Sequence, residues 1–426
     1  MGPHNSLVSR LKEAAPGITI LKCACHSIHL CASNAVKTLP RHCEDLIRSI
    51  YTFFSHSVKR MSEFKEFQDF CHTKPHKILH ASQTRWLSLH SAVSRILEQW
   101  QPLTLYFNNK HLEERLSTCK TIYDLLQDPS NRIYFQFLNF ILPYFNNFNK
   151  LFEKSEPTIH LLYKKTKILY KDILRFYYSP SKLTDDKINS INPNDERNFK
   201  PLKQVFLGAK VLDILQEPQI SPNKGLIADV TKRFRQFMIT ACIQIKERFQ
   251  LDSKILKACS ALSVENCTNN NLLEIMPTVS TLAAEVPRIY SGDIEQLDYE
   301  WRHLPNIEFP ENLKASSSLE ELFIYISKLR DENQELEFKL LPTFIFSILS
   351  LPTSNADAER IFSKLNLIKT KIRNKLSTST ITAVTLVSET VKSKGGCVSF
   401  EPTGSMLRAV SRNWENISSE NEEEDE

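Results

Sequence analysis

The sequence predicts a mainly helical protein, and three observations carry that prediction. Glycine is scarce, at 8 in 426 residues, and tight hairpins and phosphate-cradling loops both draw on its freedom at positive φ. This argues against an all-β fold and against a nucleotide-binding α/β enzyme. Apolar residues recur at three and four spacing along most of the chain, which gathers them on one face of a helix. From about residue 103 to 345 no short alternating runs of the strand type interrupt that pattern.

Composition sets the outer bounds. The length allows two or three domains, and 41% hydrophobic content suffices for a sizeable core. A net charge of +5 permits a nucleic-acid partner without demanding one. The opening MGPHNSLVSRLKEAAPG has no signal-peptide core, and no stretch approaches the roughly 18 uninterrupted apolar residues of a membrane span. A soluble intracellular protein with no membrane partner is expected. The ten scattered cysteines then read as free thiols or metal ligands rather than disulfides.

Taken in order, Gly17 to Cys23 (GITILKC) follows a Pro-Gly break, is rich in β-branched residues and predicts one buried strand. HSIHLCASNAVKTL, CEDLIRSIYTFF and KRMSEFKEFQDF predict amphipathic helices, and a further helix from about Leu87 to Trp100 should be closed by Pro102. Aromatic-rich helices follow, such as YFQFLNFILPYFNNF and LYKKTKILYKDILRFYY. The polar stretch 179–198 predicts an exposed loop, and the weakly patterned zone 263–318 a long connection. Helical periodicity returns in LEELFIYISKL, LLPTFIFSIL and, after Pro352, NADAERIFSKLNLIKTKI. The final SSENEEEDE, with six acids in its last seven positions, reads as a solvated, disordered tail.

Several clusters could carry chemistry. Cys23, Cys25, His26, His29 and Cys31 place five soft ligands in nine residues, but a structural zinc site draws on two close pairs and no later C-x-x-C supplies the second. Small buried cysteines at a strand-to-helix junction are the better reading, so no metal site is assigned. His72, His76 and His80 would stack on one helix face were it not for Pro75, which breaks the register and makes them loop histidines. Arg85 and Trp86 sit just before a helix, where arginine could clamp a phosphate and tryptophan stack on a base. Spacing alone favours a core Trp86 with an exposed Arg85. Glu359 stands beside Asp357 and Arg360 ahead of the apolar stripe Ile361, Phe362 and Leu365, followed by Lys364, Lys369, Lys371, Arg373 and Lys375. That basic run suits a phosphate backbone, although from physics alone a solvated helix face is the better reading.

In order along the chain, these strings resemble the hobo/Activator (hAT) transposase superfamily and its domesticated descendants. Met1-Gly2 with His4 to Leu7 looks like the end of the family's acidic D-x-x-x-x-M-x-G segment. KCACHSIHL resembles its C-x-x-H element through Cys23 and His26, and QTRWLS its R-W element through Arg85 and Trp86. SEPTIHL (Ser155 to Leu161) looks like a stretch common in transposon-derived relatives. LSLPTSNADAERIFSKLNLIKTKIRNKLS is similar to the C-terminal signature, with Asn355 in place of the usual serine.

The resemblance implies a partial ribonuclease-H-like α/β core interrupted by a large all-helical insertion. It divides the chain into a core remnant at 1–102, a helical insertion at 103–318, a C-terminal core helix and dimerisation region at 319–395, and the acidic tail at 396–426. Glu359 matches the family's third catalytic acid, while Arg85, Trp86, Lys364, Lys369, Lys371 and Arg373 become DNA-contact candidates. Two upstream aspartates should complete a two-metal site for phosphodiester cleavage. None precedes Cys23, where the only acid is Glu13, and the first aspartate is Asp45. Magnesium or manganese is therefore expected only if those aspartates are restored, and no cofactor is expected for the chain as it stands.

A starting Met inside a motif favours an N-terminally truncated sequence over a domesticated gene product. The implied function is a catalytically incomplete nuclear protein that self-associates through its C-terminal region, with exposed Phe344, Ile345 and Ile348 at the interface, and that also touches DNA. The alternative is a fragment of an active transposase. A helical scaffold without nucleic-acid contact is the third reading.

Overall fold

The computed structural model describes residues 6–80, 86–268, 278–315 and 318–410. The chain divides into two compact units, Met1–Asn355 and Ala356–Glu426. The first opens with α1 (Leu7–Ala14), α2 (Ala24–Val36), α3 (His42–Ser55) and α4 (Val58–Phe70). Its middle holds α5 (Trp86–Glu98), α6 (Trp100–Glu114), α7 (Ser117–Gln127), α8 (Pro129–Phe152), α9 (Ile159–Tyr177), α10 (Ala209–Gln216) and α11 (Lys224–Phe249). It closes with α12 (Lys254–Cys259), α13 (Val264–Thr268), α14 (Thr278–Glu285), α15 (Ile294–His303), α16 (Glu311–Ala315), α17 (Leu319–Ile326) and α18 (Leu341–Leu349). The second unit holds α19 (Ala356–Ile368) and α20 (Thr378–Ser393).

Two long helices organise the first unit. Asp128 caps α8 by accepting from the Ser130 amide, with Pro129 at the first position where its missing N–H costs nothing. Asn223 caps α11 through the Leu226 amide. The two meet through aromatic rings: Phe137 stacks on Phe234 at 3.9 Å and meets Phe237 edge-on at 5.3 Å. Helix α2 packs on both, burying Ala24, Ile28, Cys31, Ala32 and Ala35 to 1% exposure or less. Small side chains along that stripe let the backbones approach closely, and the Asn34 amide donates to Gln244 Oε1 of α11 at 2.7 Å.

The mainly helical expectation holds, but the strand at Gly17 to Cys23 does not form. Ile18, Thr19 and Ile20 are half-buried in an irregular segment, and the described residues supply no strand beside it to complete a ladder. Among the described residues, β-pairing is limited to the isolated bridges Tyr178–Phe199 and Arg330–Leu336.

Further expectations change on inspection. Pro102 does not close the fifth helix; it lies buried in the first turn of α6, where proline needs no amide partner. Most of the 179–198 stretch is exposed, as expected of a loop, but it is anchored. Its ends are tied by Ser179 N–H to the Asn198 carbonyl, and Leu183, Ile188, Ile191 and Pro193 are buried. Tyr170 and Tyr177 hydroxyls donate to the carbonyls of Ile191 and Pro193, so buried polar groups find partners within the loop. The 263–318 zone is no plain connection, since α13, α14, α15 and α16 fall within it.

Phe344, Ile345 and Ile348 are not an exposed interface: each is at most 2% exposed, because α18 packs on α9, α15 and α17 and Tyr290 meets Phe344 edge-on. Helices on either side of the expected boundaries at 102 and 318 pack together, α2 and α5 against α8 and α18 against α9, and the division falls at Asn355. Of the expected tail, residues 396–410 are described and mostly exposed, Glu401 among them, with helical residues at 404–410; the acidic run at its end lies outside the described residues. No helix of the described residues is long and apolar enough to cross a membrane.

A buried carboxylate supplies the cap that α18 lacks locally. Glu300 of α15, 2% exposed, accepts from the amides of Lys339 (3.1 Å), Leu340 (3.0 Å) and Leu341 (2.8 Å). Leu340, the residue before α18, has no side-chain cap of its own. Removing the carboxylate strands these amides, so Glu300→Ala should cost about 2–4 kcal/mol in urea unfolding. Glu300→Gln, which keeps one oxygen acceptor, should cost less. Equal stability of Glu300→Ala and the parent would contradict this role.

Candidate functional site

Cys23 caps α2. Its sulfur accepts from the His26 amide at 3.4 Å and, across 332 residues of sequence, from the Asn355 amide at 3.4 Å. The Ala24 amide donates to the Thr353 carbonyl at 2.8 Å, so two successive residues at the helix start bind the segment that follows α18. The Thr353 hydroxyl is paired at 2.7 Å with that of Thr158, both buried. Cys25 faces the Asn149 carbonyl at 3.8 Å, and the Asn149 side chain donates to Glu153 at 2.6 Å. Ser354 hydrogen-bonds the Cys25 sulfur. Three strings remote in sequence, KCACHS, SEPTIHL and LPTSN, therefore meet at one polar seam.

The seam separates two neighbouring thiols electrostatically. Cys23 is pulled down to about 5, chiefly by the hydrogen bond from Cys25 and further by the amides of His26, Asn355 and Cys25, against the opposing effect of burial. Cys25 is pushed well above the usual thiol range by its bond to Cys23, by burial, and by the charges of Cys23 and Glu153. The two thiols are coupled, and the surroundings favour the charged form at Cys23 and the neutral form at Cys25. Burial, with His26 adding to it, holds His29 down to about 4. By contrast Cys31 and Cys43 are pushed up to about 12 by burial and behave as small apolar side chains. All ten cysteines are free thiols.

The structure brings Cys23 and His26 together through the backbone cap, leaving the His26 ring exposed. The five-ligand cluster does not converge: Cys31 is buried against α11, and no group of three His, Cys, Asp or Glu arranged to hold a metal occurs among the described residues. His76 sits in a loop, as its proline neighbour predicts, and pairs with Glu98 at 2.8 Å. Arg85 lies outside the described residues, and Trp86 is described only as the first position of α5.

Glu359 occupies the first turn of α19, exposed, with its carbonyl accepting from Ser363. Lys364 is paired with Glu389 of α20. The basic run does not continue the helix, which ends at Ile368; Lys369, Lys371 and Arg373 are exposed in the connection to α20. Comparison of the chain with family models and with curated proteins finds no match to either. Cys25 reads from the sequence only as a weighed metal ligand or a small buried cysteine, and Thr158, Thr353 and Ser354 carry no signal there beyond the strings that hold them. Asn149 and Glu153 lie inside a plain apolar helical pattern that signals only a helix face.

His160 adds a pH dependence to the same region. It is 9% exposed at the start of α9, and burial holds it down to about 4. The unfolded chain takes up a proton below about pH 6.5 that the folded chain refuses until about pH 4, so stability present at neutral pH is lost as the pH falls through this window. At pH 5 the loss from His160 should be about 1–2 kcal/mol relative to pH 7. In paired denaturation series at pH 7 and pH 5, His160→Gln should show a correspondingly smaller drop. An identical pH dependence in both proteins would contradict the assignment.

Proposed function

We propose that this chain is a transposase-derived nuclear protein that self-associates through its C-terminal unit and contacts DNA through the basic connection in that unit, without cutting it. The observation that carries the reading is the uncovered apolar surface of α19 and α20. Ala356 is the only buried residue of the two helices, whereas Phe362, Leu367, Leu386 and Val387 are 64%, 80%, 62% and 61% exposed. Covering a side chain of this kind stabilises by roughly 1.5–3 kcal/mol, and a helix pair with so little interior gains most from a partner surface. The resemblance to hAT proteins supports a second copy as that partner, since this stretch corresponds to the family's dimerisation region.

The basic residues support the DNA contact. Lys369, Lys371 and Arg373 project from an exposed segment and are free to follow a phosphate backbone in the way a packed helix face is not. The resemblance also supports a ribonuclease-H-like ancestry for the KCACHS and LPTSN segments, and Glu359 is the position matching the third acid. Cleavage is not proposed: two divalent ions need several carboxylates, and in this sequence no aspartate precedes Asp45.

Light scattering at micromolar concentration should give at least twice the chain mass. Phe362→Glu combined with Leu386→Glu should return it to a monomer with unchanged helical content. A monodisperse parent monomer would overturn the association. DNA binding should weaken with salt, and replacing Lys369, Lys371 and Arg373 by Gln should lower the log–log slope by about 2–3. Absence of binding at low salt would favour a helical scaffold. Metal-dependent cleavage lost in Glu359→Gln would favour an active transposase.

A further inference from the structure

We propose that Cys23 and Cys25 form a redox-responsive dithiol, in which the Cys23 thiolate is oxidised by a hydroperoxide and Cys25 resolves it to an intramolecular disulfide. The geometry supplies each requirement. Cys23 lies half-buried at the start of a 13-residue helix, and its sulfur accepts two backbone N–H bonds, from His26 and Asn355, which hold a negative sulfur where the helix end also favours it. The resolving thiol is two residues away in the first turn of the same helix, with its sulfur 3.8 Å from the Asn149 carbonyl. Charged or titratable groups at the seam include His26 and His29 of α2 and Glu153 beyond the end of α8, and its neutral polar side chains include Asn149, Thr158, Thr353 and Ser354. The lowered position of the Cys23 thiol agrees with this geometry.

The steps balance. The Cys23 thiolate attacks one peroxide oxygen, the O–O bond breaks, and Cys23 becomes a sulfenic acid as hydroxide leaves. That hydroxide takes the Cys25 proton to form water. The Cys25 thiolate attacks the Cys23 sulfur, the S–O bond breaks, and a second hydroxide leaves to be protonated by solvent. Two sulfurs are oxidised and one peroxide is reduced. The disulfide withdraws the acceptor from the His26 and Asn355 amides, and Asn355 is the last residue of the N-terminal unit. Oxidation thereby loosens the segment leading into α19.

Mass-spectrometric rates of iodoacetamide labelling on the full chain test this, with exposed Cys397 as the internal reference. Cys23 labelling should be nearly independent of pH above about 6.5, while Cys397 labelling should still rise at pH 8. Cys25→Ala should move the Cys23 midpoint upward. Stoichiometric hydrogen peroxide should then give a dithiothreitol-reversible loss of two hydrogens in the peptide holding both residues. In Cys25→Ala it should give a dimedone-trappable sulfenic acid at Cys23. Cys23→Ser, which keeps a good helix cap, should abolish both products while the chain stays folded. A Cys23 profile that coincides with that of Cys397, or peroxide that oxidises Cys397 and leaves the pair reduced, would overturn the proposal.

Discussion

The packing of α2 against α8 and α11 is the constraint on which the rest of the N-terminal unit depends. Its buried stripe of Ala24, Ile28, Cys31, Ala32 and Ala35 combines small residues with one branched chain, so the helix comes close to its neighbours instead of resting on long side chains. Larger residues at Ala32 or Ala35 would push α2 out of a densely filled interior. Because α2 is held along its length, its first turn has a definite position, and Cys23 can bind a segment more than 300 residues further along.

That anchoring explains why the polar seam is built from backbone as much as from side chains. Ala24 and Asn355 contribute amides, Thr353 and Asn149 contribute carbonyls, and the sulfurs of Cys23 and Cys25 lie among them. The thiols of Cys23 and Cys25 are shifted apart in such surroundings, whereas Cys31, further along the same helix, is raised chiefly by burial. One helix thus carries cysteines whose thiols are shifted in opposite directions, by hydrogen bonding at Cys23 and by burial at Cys31.

Much of this was legible in the sequence. The three and four spacing in HSIHLCASNAV and CEDLIRSIYTFF places α2 and α3 closely, and Pro75 correctly takes the histidine series out of a helix. GITILKC misled because β-branched content signals a strand only where another strand can pair with it. LLPTFIFSIL misled in the other direction, since periodicity says that a face will be covered but not by what, and α9, α15 and α17 cover Phe344 and Ile348 from within the same unit. The seam could not be read at all: its members are single residues whose proximity depends on where α8, α9 and α18 end.

The C-terminal unit shows the opposite economy. Helices α19 and α20 pack together with the Lys364–Glu389 pair between them, half-bury Leu365, Ile368 and Ile381, and leave Phe362, Leu367, Leu386 and Val387 outside. The C-terminal unit buries little of its apolar surface within itself, whereas the N-terminal unit is ordered by what it buries. Native-state hydrogen exchange tests most directly whether α2 belongs to the central core. The amides of Ile28 to Ala35 should exchange as slowly as those at the centres of α8 and α11, through global unfolding alone. Exchange of these amides through a local opening, markedly faster than in α8 and α11, would contradict the account.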